Sequence, residues 1–361
     1  MKMYLAGQWV ERSEKIEVRN PYDNTVVDTV PRANLTDVDL AVQTAQRGAD
    51  IMRKMEAYER SELLNKAAGL VEERSEDLAK TITMEEGKII GEARVEVSRA
   101  VQTLLVSAEE AKRLSGEMIP LGGAPGSGNR LGFTLRVPCG IVVAVTPFNF
   151  PLNLVAHKVG PALAGGNSVI IKPASDTPLS ALKLTEILLE AGFPAAAVQC
   201  LTGGGGEVGR ALCSDGRVRK ITFTGSRDVG EDICKTAGLK KVTMELGSNA
   251  PLIVMPDADL EKVCQAILTT GYSNAGQVCI SAQRILALPE IYRDLGEALR
   301  SQVTALNVGD PLLEGTKMGP MIREEDAQRV ESWVQEAVSG GAKVLAGGER
   351  QGTMHSPTLV A

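Results

Sequence analysis

Aromatic side chains are scarce: five Phe, five Tyr and two Trp in 361 residues. Single-stranded nucleic acid is usually held on stacked aromatic platforms, and this chain has few to offer. Surplus positive charge is missing as well. Thirty-nine Lys and Arg stand against 45 Asp and Glu, a net charge of −6, with both signs scattered along the chain. A binder of the phosphate backbone needs a basic face, so no nucleic-acid partner is expected. Apolar runs are short. Ile141–Val145 is typical of the longest, far below the ~20 residues of a spanning helix, and residues 1–10 lack the apolar core of a signal peptide. The expectation is a cytoplasmic protein with a small-molecule partner and no membrane contact.

Histidine is nearly absent. His157 and His355 are the only two, which removes multi-histidine metal sites and leaves a Ser–His–Asp triad almost no candidates. His157 lies in an apolar helical stretch and is read as a packed or surface residue; His355 is read as a solvated loop residue. The six cysteines (Cys139, Cys200, Cys213, Cys234, Cys264 and Cys279) contain no C-x-x-C, so zinc ribbons and thioredoxin-like chemistry lack support and no metal is expected. Most sit in apolar or helical surroundings, where cysteine acts as a small buried hydrophobe. Cys279 has a different, polar neighbourhood.

What is present is a change of pattern along the chain. Residues 1–36 suggest short strands around the turn cluster Asn20-Pro21-Tyr22-Asp23-Asn24. Residues 36–116 read as helix, starting at an N-cap around Thr36-Asp37, with apolar residues at three- and four-residue intervals. The stretch Gly122-Gly123-Ala124-Pro125-Gly126-Ser127-Gly128-Asn129 suits an exposed turn, and its flanks suggest the arms of a hairpin over 117–137. From Pro138, short Val/Ile-rich strands alternate with helices up to residue 245, including a helix over 207–213. A second alternation runs from 252 to 345. Such patterns predict an α/β protein whose parallel sheets are covered on both faces and bind ligands at the carboxyl ends of their strands.

Several strand ends carry chemistry-bearing residues. Gly204-Gly205-Gly206-Glu207-Val208-Gly209 spells G-x-G-x-x-G between a strand and a helix, but the next strand ends without the acidic residue that holds a ribose. In Phe223-Thr224-Gly225-Ser226, a strand stops and a serine opens a helix. That leaves N–H groups and a hydroxyl for a phosphate, or an ordinary N-cap. Lys172 ends another strand. Asn149 sits in a proline-flanked turn, where its amide can face a developing oxyanion. Glu245 ends a strand before a glycine, and Cys279 closes the polar loop Tyr272-Ser273-Asn274-Ala275-Gly276-Gln277-Val278.

Taken in order, these motifs resemble the NAD(P)-dependent aldehyde dehydrogenase superfamily. Pro147-Phe148-Asn149-Phe150-Pro151 matches its P-W-N-F-P and Lys172-Pro173-Ala174 its K-P-A. Phe223-Thr224-Gly225-Ser226 also matches. Glu245-Leu246-Gly247-Ser248 matches E-L-G-G except for the last serine, and Gly276-Gln277-Val278-Cys279 matches G-Q-x-C. Gly319-Pro320-Met321-Ile322 fits a downstream landmark. The resemblance extends from residue 4 to 361; the family continues for roughly a hundred residues more, including an E-x-F-G-P segment that this sequence does not contain.

The resemblance implies an aldehyde dehydrogenase-like fold with two parallel-sheet α/β domains. Residues 1–116 and 138–245 would form the NAD(P)-binding domain, 246–361 the catalytic domain, and 117–137 a projecting oligomerisation arm that builds a homodimer or homotetramer. It assigns Cys279 as nucleophile, Asn149 as oxyanion donor and Glu245 as the base for thioester hydrolysis. For NADP or NAD it assigns Lys172 to the adenine ribose, Gly225 and Ser226 to the pyrophosphate, and Thr146 and Phe148 to the path toward the nicotinamide. NAD-preferring relatives often carry a glutamate where this chain has Ser175, so NADP is expected to be accepted. The substrate would be a small aldehyde of lactaldehyde, glycolaldehyde or semialdehyde type, with Arg99 a candidate for an anionic group or else a solvent-facing arginine. Alternatives are a CoA-acylating dehydrogenase and a cofactor-binding protein without turnover.

Overall fold

The computed structural model describes residues 1–361. Four short strands come first: β1 (Met3–Leu5), β2 (Gln8–Val10), β3 (Lys15–Arg19) and β4 (Val26–Pro31). β3 and β4 pair antiparallel across the Asn20 turn, where the Asn20 side chain accepts from the Tyr22 N–H at 3.0 Å. Four helices follow: α1 (Leu35–Lys54), α2 (Ala57–Glu73), α3 (Ser75–Glu86) and α4 (Ile90–Ala111). The first cap is Asn34, not Thr36. Asn34 and Asp37 each accept the other's backbone N–H at 3.0 Å, and this reciprocal box satisfies two otherwise orphaned donors. A hairpin of β5 (Met118–Ile119) and β6 (Gly132–Phe133) then leaves the body with most of its apolar side chains exposed.

The strand–helix run gives β7 (Ile141–Val145), α5 (Asn153–Ala164), β8 (Ser168–Lys172), α6 (Leu179–Ala191) and β9 (Val198–Cys200). It continues with α7 (Arg210–Ser214), β10 (Val218–Thr224), α8 (Arg227–Ala237) and β11 (Lys241–Glu245). The expected helix over 207–213 is split. Glycine-rich residues Gly205–Gly209 form a widened π turn and only Arg210–Ser214 is α-helical, because glycine gains little from helix formation.

The main sheet has the order β11-β10-β7-β8-β9-β1-β2. Its first five strands are parallel, and β1 and β2 close one edge antiparallel. Period-two alternation divides each inner strand between two cores. Val142, Ala144, Val169 and Ile171 join the larger cluster, with α2 to α6; Ile141, Val143, Ile170 and Ile221 join the other, with α1, α7 and α8. Within the larger core, α5 runs close against α4 at Gly160. A Cβ there would stand 2.6 Å from the Ser107 hydroxyl.

A smaller unit follows, with β12 (Pro251–Val254), α9 (Leu260–Gly271), β13 (Arg284–Ala287), α10 (Pro289–Thr304) and α11 (Glu324–Ser339). β12 and β13 pair in parallel over a cluster that includes Val254, Ile267, Ile291 and Leu295. Two short antiparallel pairs finish it, β14 (Val344–Ala346) with β17 (Leu359–Val360), and β15 (Arg350–Gln351) with β16 (Met354–His355). His355 is buried, contrary to the expectation of a solvated loop residue. The β15–β16 hairpin lies along α11, and the imidazole Nδ1 is 2.9 Å from the Ser356 carbonyl. No helix is long and apolar enough to cross a membrane.

Candidate active site

Three strand ends and one loop converge. The first is the turn after β7, which carries Thr146, Phe148 and Asn149 and then opens α5. The Asn149 side-chain amide donates to the Gln277 carbonyl at 2.7 Å, spanning 128 residues of sequence. One of its two amide hydrogens is thereby committed and the other remains free, while Oδ1 is buried without a partner. The turn is thus tied directly to the loop that ends in Cys279.

That loop has an unusual backbone. Asn274, Ala275 and Gly276 are all left-handed, with φ of 50°, 54° and 77°. Such a run costs energy for non-glycine residues and persists only where the surroundings over-determine it. Here they do. The Asn274 N–H donates to Glu92 at 3.0 Å and its side-chain amide to buried Glu86 at 2.7 Å. Gln277 is fixed at both ends of its side chain, donating to the Asn274 carbonyl and accepting from the Ile322 N–H, each at 3.0 Å. Burial pushes the Glu86 carboxyl up to about 8 and raises Glu92, in both cases against nearby Lys88.

Cys279 is exposed, as is Cys234, whereas Cys200, Cys213 and Cys264 are buried. Burial drives the Cys200 thiol up to about 12 and Cys213 to about 11, so neither supplies a thiolate near neutrality. A cavity of about 500 Å³ opens over Cys279. One wall is α4, with Arg99, Thr103, Val106 and Ser107 at helical spacing; the other is α5, with Asn153, Leu154 and His157. Phe150, Val278 and Ile280 supply apolar surface. Arg99 makes no ion pair within the chain, and its guanidinium, with the Lys158 ammonium, helps partial desolvation hold the His157 imidazole below its ordinary value.

Glu245 ends β11 and is exposed. Lys158, one residue beyond His157 on α5, is buried and donates to the Thr224 hydroxyl at 2.7 Å. Desolvation lowers it to about 8, opposed by the charge of Glu245. The Ser248 hydroxyl donates to the Cys279 carbonyl at 2.8 Å, joining the Glu245 turn to the cysteine loop.

The dinucleotide candidates lie along the neighbouring strand ends. Lys172 is buried with its ammonium donating to the Pro173 carbonyl at 2.7 Å, and desolvation lowers it to about 8 despite Asp176. No carboxylate pairs with it directly; Asp176 is engaged by Arg323. The Thr146 hydroxyl is buried without a partner. Ser226 caps the eleven-residue α8, accepting from the Val229 N–H at 3.4 Å. Ser175 donates to the Gly203 carbonyl at 3.1 Å and presents no charge. A ribose and a pyrophosphate fit this set: an under-used buried cation, an orphaned hydroxyl and a helix N-terminus. The literal G-x-G-x-x-G opens only the five-residue α7.

Sequence reasoning singled out Cys279, Asn149, Glu245, Lys172 and Arg99. It missed Lys158 and the group Glu86, Lys88, Glu92 and Glu96, and it read His157 as structural. Helical periodicity gave these charges no distinguishing mark.

The profile of the aldehyde dehydrogenase family matches residues 9–361. The chain is 49% identical to the 3-sulfolactaldehyde dehydrogenase of Priestia megaterium, over 99% of this chain and 75% of that protein. Among solved structures it is similar to aldehyde dehydrogenase 21 from Physcomitrella patens in complex with the reaction product succinate, with a TM-score of 0.96 and 41% identity, covering 99% of this chain and 75% of the other. An Escherichia coli NADP-dependent enzyme also superposes, at TM-score 0.96 and 36% identity with the same coverage.

Proposed function

This chain belongs to the aldehyde dehydrogenase family and oxidises small aldehydes to carboxylic acids with NAD(P)+, and on that premise we propose that Cys279, Asn149 and Glu245 carry the reaction. The Cys279 thiolate adds to the aldehyde carbon and leaves a tetrahedral oxyanion. The free Asn149 amide hydrogen and the Cys279 backbone N–H hold that oxygen; one donor of this kind is worth about 3 kcal/mol, roughly 10²–10³ in rate. When bound, the oxidised nicotinamide supplies the acceptor for the hydride that the adduct releases. What remains on the sulfur is a thioester. Glu245 removes a proton from the water that attacks it, so the acid departs and the thiolate is restored. The Glu245 charge lies near enough to Lys158 to oppose the desolvation that lowers that ammonium.

The observation that carries this reading is the 2.7 Å hydrogen bond from Asn149 to Gln277, which ties the Asn149 amide to the loop whose Cys279 faces the open cavity. Lys172, Ser226, Gly225, Thr146 and Phe148 would hold the dinucleotide, with 1–116 and 138–245 as its domain and 246–361 carrying the nucleophile. Arg99 and His157 suit an aldehyde with an anionic tail. The exposed β5–β6 arm suits a homodimer or homotetramer, and six unpaired cysteines suit a reducing, cytoplasmic compartment. The test follows absorbance at 340 nm with short aldehydes, with and without coenzyme A, alongside intact mass. Wild type reduces the dinucleotide without coenzyme A, Cys279→Ala does not, and Glu245→Gln accumulates an acyl adduct on Cys279. Reduction that persists in Cys279→Ala removes the sulfur from the scheme.

A further inference from the structure

The corner between α3 and α4 places full charges at the centre of the molecule, where charge is costly unless paired. Lys88 is 1% exposed and Glu96 0%. The Lys88 ammonium donates to Glu96 Oε2 at 2.5 Å and to the Asn149 backbone carbonyl at 2.6 Å, and it lies 4.0 Å from the centre of the Phe150 ring. The other Glu96 oxygen accepts from the Leu152 and Asn153 N–H groups at 2.9 and 3.0 Å. One ion pair therefore grips the same turn on both sides, the carbonyl of Asn149 from Lys88 and the amides at the start of α5 from Glu96. An ion pair that only filled space would not need three backbone contacts within five residues.

We propose that Lys88 is a positioning residue for the oxyanion: it fixes the Asn149 carbonyl, with Glu96 fixing two further amides of the turn, so that the Asn149 side-chain amide stands where the adduct's oxygen forms. This rests on Asn149 being an oxyanion donor. The geometry supports a division of labour at this corner. Glu86 and Glu92, on either side of Lys88 in sequence, hold Asn274 in the cysteine loop, while Lys88 and Glu96 hold the Asn149 turn. The two halves meet at the hydrogen bond between Asn149 and Gln277. Displacing the turn by a fraction of an ångström moves the donor and leaves the sulfur in place.

The experiment compares Lys88→Met, Asn149→Ala and the combined variant with wild type, reading kcat, both KM values and the rate at which iodoacetamide alkylates Cys279. Lys88→Met lowers kcat about 10- to 100-fold, as small misplacements of catalytic groups do, while both KM values and the alkylation rate hold within about threefold. Asn149→Ala lowers kcat roughly 10²–10³-fold. The combined variant is no slower than Asn149→Ala, because both changes remove one interaction. Lys88→Met/Glu96→Gln guards against a destabilised core: the pair is neutral and the amide oxygen introduced at position 96 still accepts the two N–H groups, so it shows the same fall in kcat. Unchanged kcat in this pair overturns the proposal, and so do losses that multiply in the combined variant. If Asn149→Ala retains full activity, the oxyanion reading itself falls, and a defect confined to Lys88→Met then means a different role.

Discussion

Ser248 illustrates what one atom decides. The family motif has glycine at this place, yet here a hydroxyl links the turn after Glu245 to the Cys279 carbonyl at 2.8 Å. The residues proposed for the chemistry stand out in the sequence because they sit at strand ends or in loops, within motifs of fixed spacing. Lys158, Lys88 and Glu96 do not. A lysine or glutamate facing a buried partner, on a helix as Lys158 and Glu96 are or at a helix corner as Lys88 is, has the same spacing as one facing water, and only packing reveals which it is. Two outcomes belong at this scale. Ser175 presents no carboxylate to a ribose 2′-phosphate, so wild type accepts NADP; Ser175→Glu lowers kcat/KM for NADP at least tenfold and raises it for NAD, read from initial rates with each dinucleotide. Arg99 lines the mouth without an ion partner. Arg99→Ala therefore raises KM for an anionic short aldehyde about tenfold, the worth of one partly exposed charge pair, and leaves a neutral aldehyde of the same length unaffected.

At the level of the element, the alternation of strands and helices expected from Pro138 to residue 245 is the one the structure has, from β7 to β11, since apolar period and turn residues mark it clearly. The π turn at Gly205–Gly209 and the cap at Asn34 differed for local reasons, glycine propensity and a reciprocal capping box. The α3–α4 corner makes its own prediction. Burial raises Glu85 to about 7 and Glu86 to about 8, so the folded chain keeps protons on them that the unfolded chain releases near 4.5. The stability they contribute is complete below pH 4.5 and is lost as pH rises through 7 to 8. Glu86→Gln preserves the acceptor for Asn274 and cannot ionise. Its melting temperature matches wild type at about pH 5 and exceeds it by several degrees at about pH 9, at roughly 2–4 °C per kcal/mol. A gap that is the same at both pH values refutes the assignment.

For the whole molecule, the sheet and its two cores follow from alternation, but the ties of the Asn149 turn and of Ser248 to the cysteine loop are tertiary contacts that no local pattern encodes. The β5–β6 arm is a feature of this scale, exposing Met118, Ile119, Leu131, Phe133 and Leu135 together. Contiguous apolar surface of this kind marks an interaction site. If the arm builds the proposed homodimer or homotetramer, Leu131→Lys/Phe133→Asp lowers the mass seen in light scattering to that of a monomer, with the circular dichroism of the body unchanged. An unaltered mass assigns assembly elsewhere.

The uneven distribution of sulfur has a practical consequence. With three thiols sealed in the interior, Cys139 half-buried and Cys234 and Cys279 open to water, a Cys139→Ser/Cys234→Ser background leaves a chromogenic disulfide reagent one fast-reacting target. The stoichiometry of that colour burst becomes a headcount of competent molecules in any preparation, independent of knowing the natural substrate.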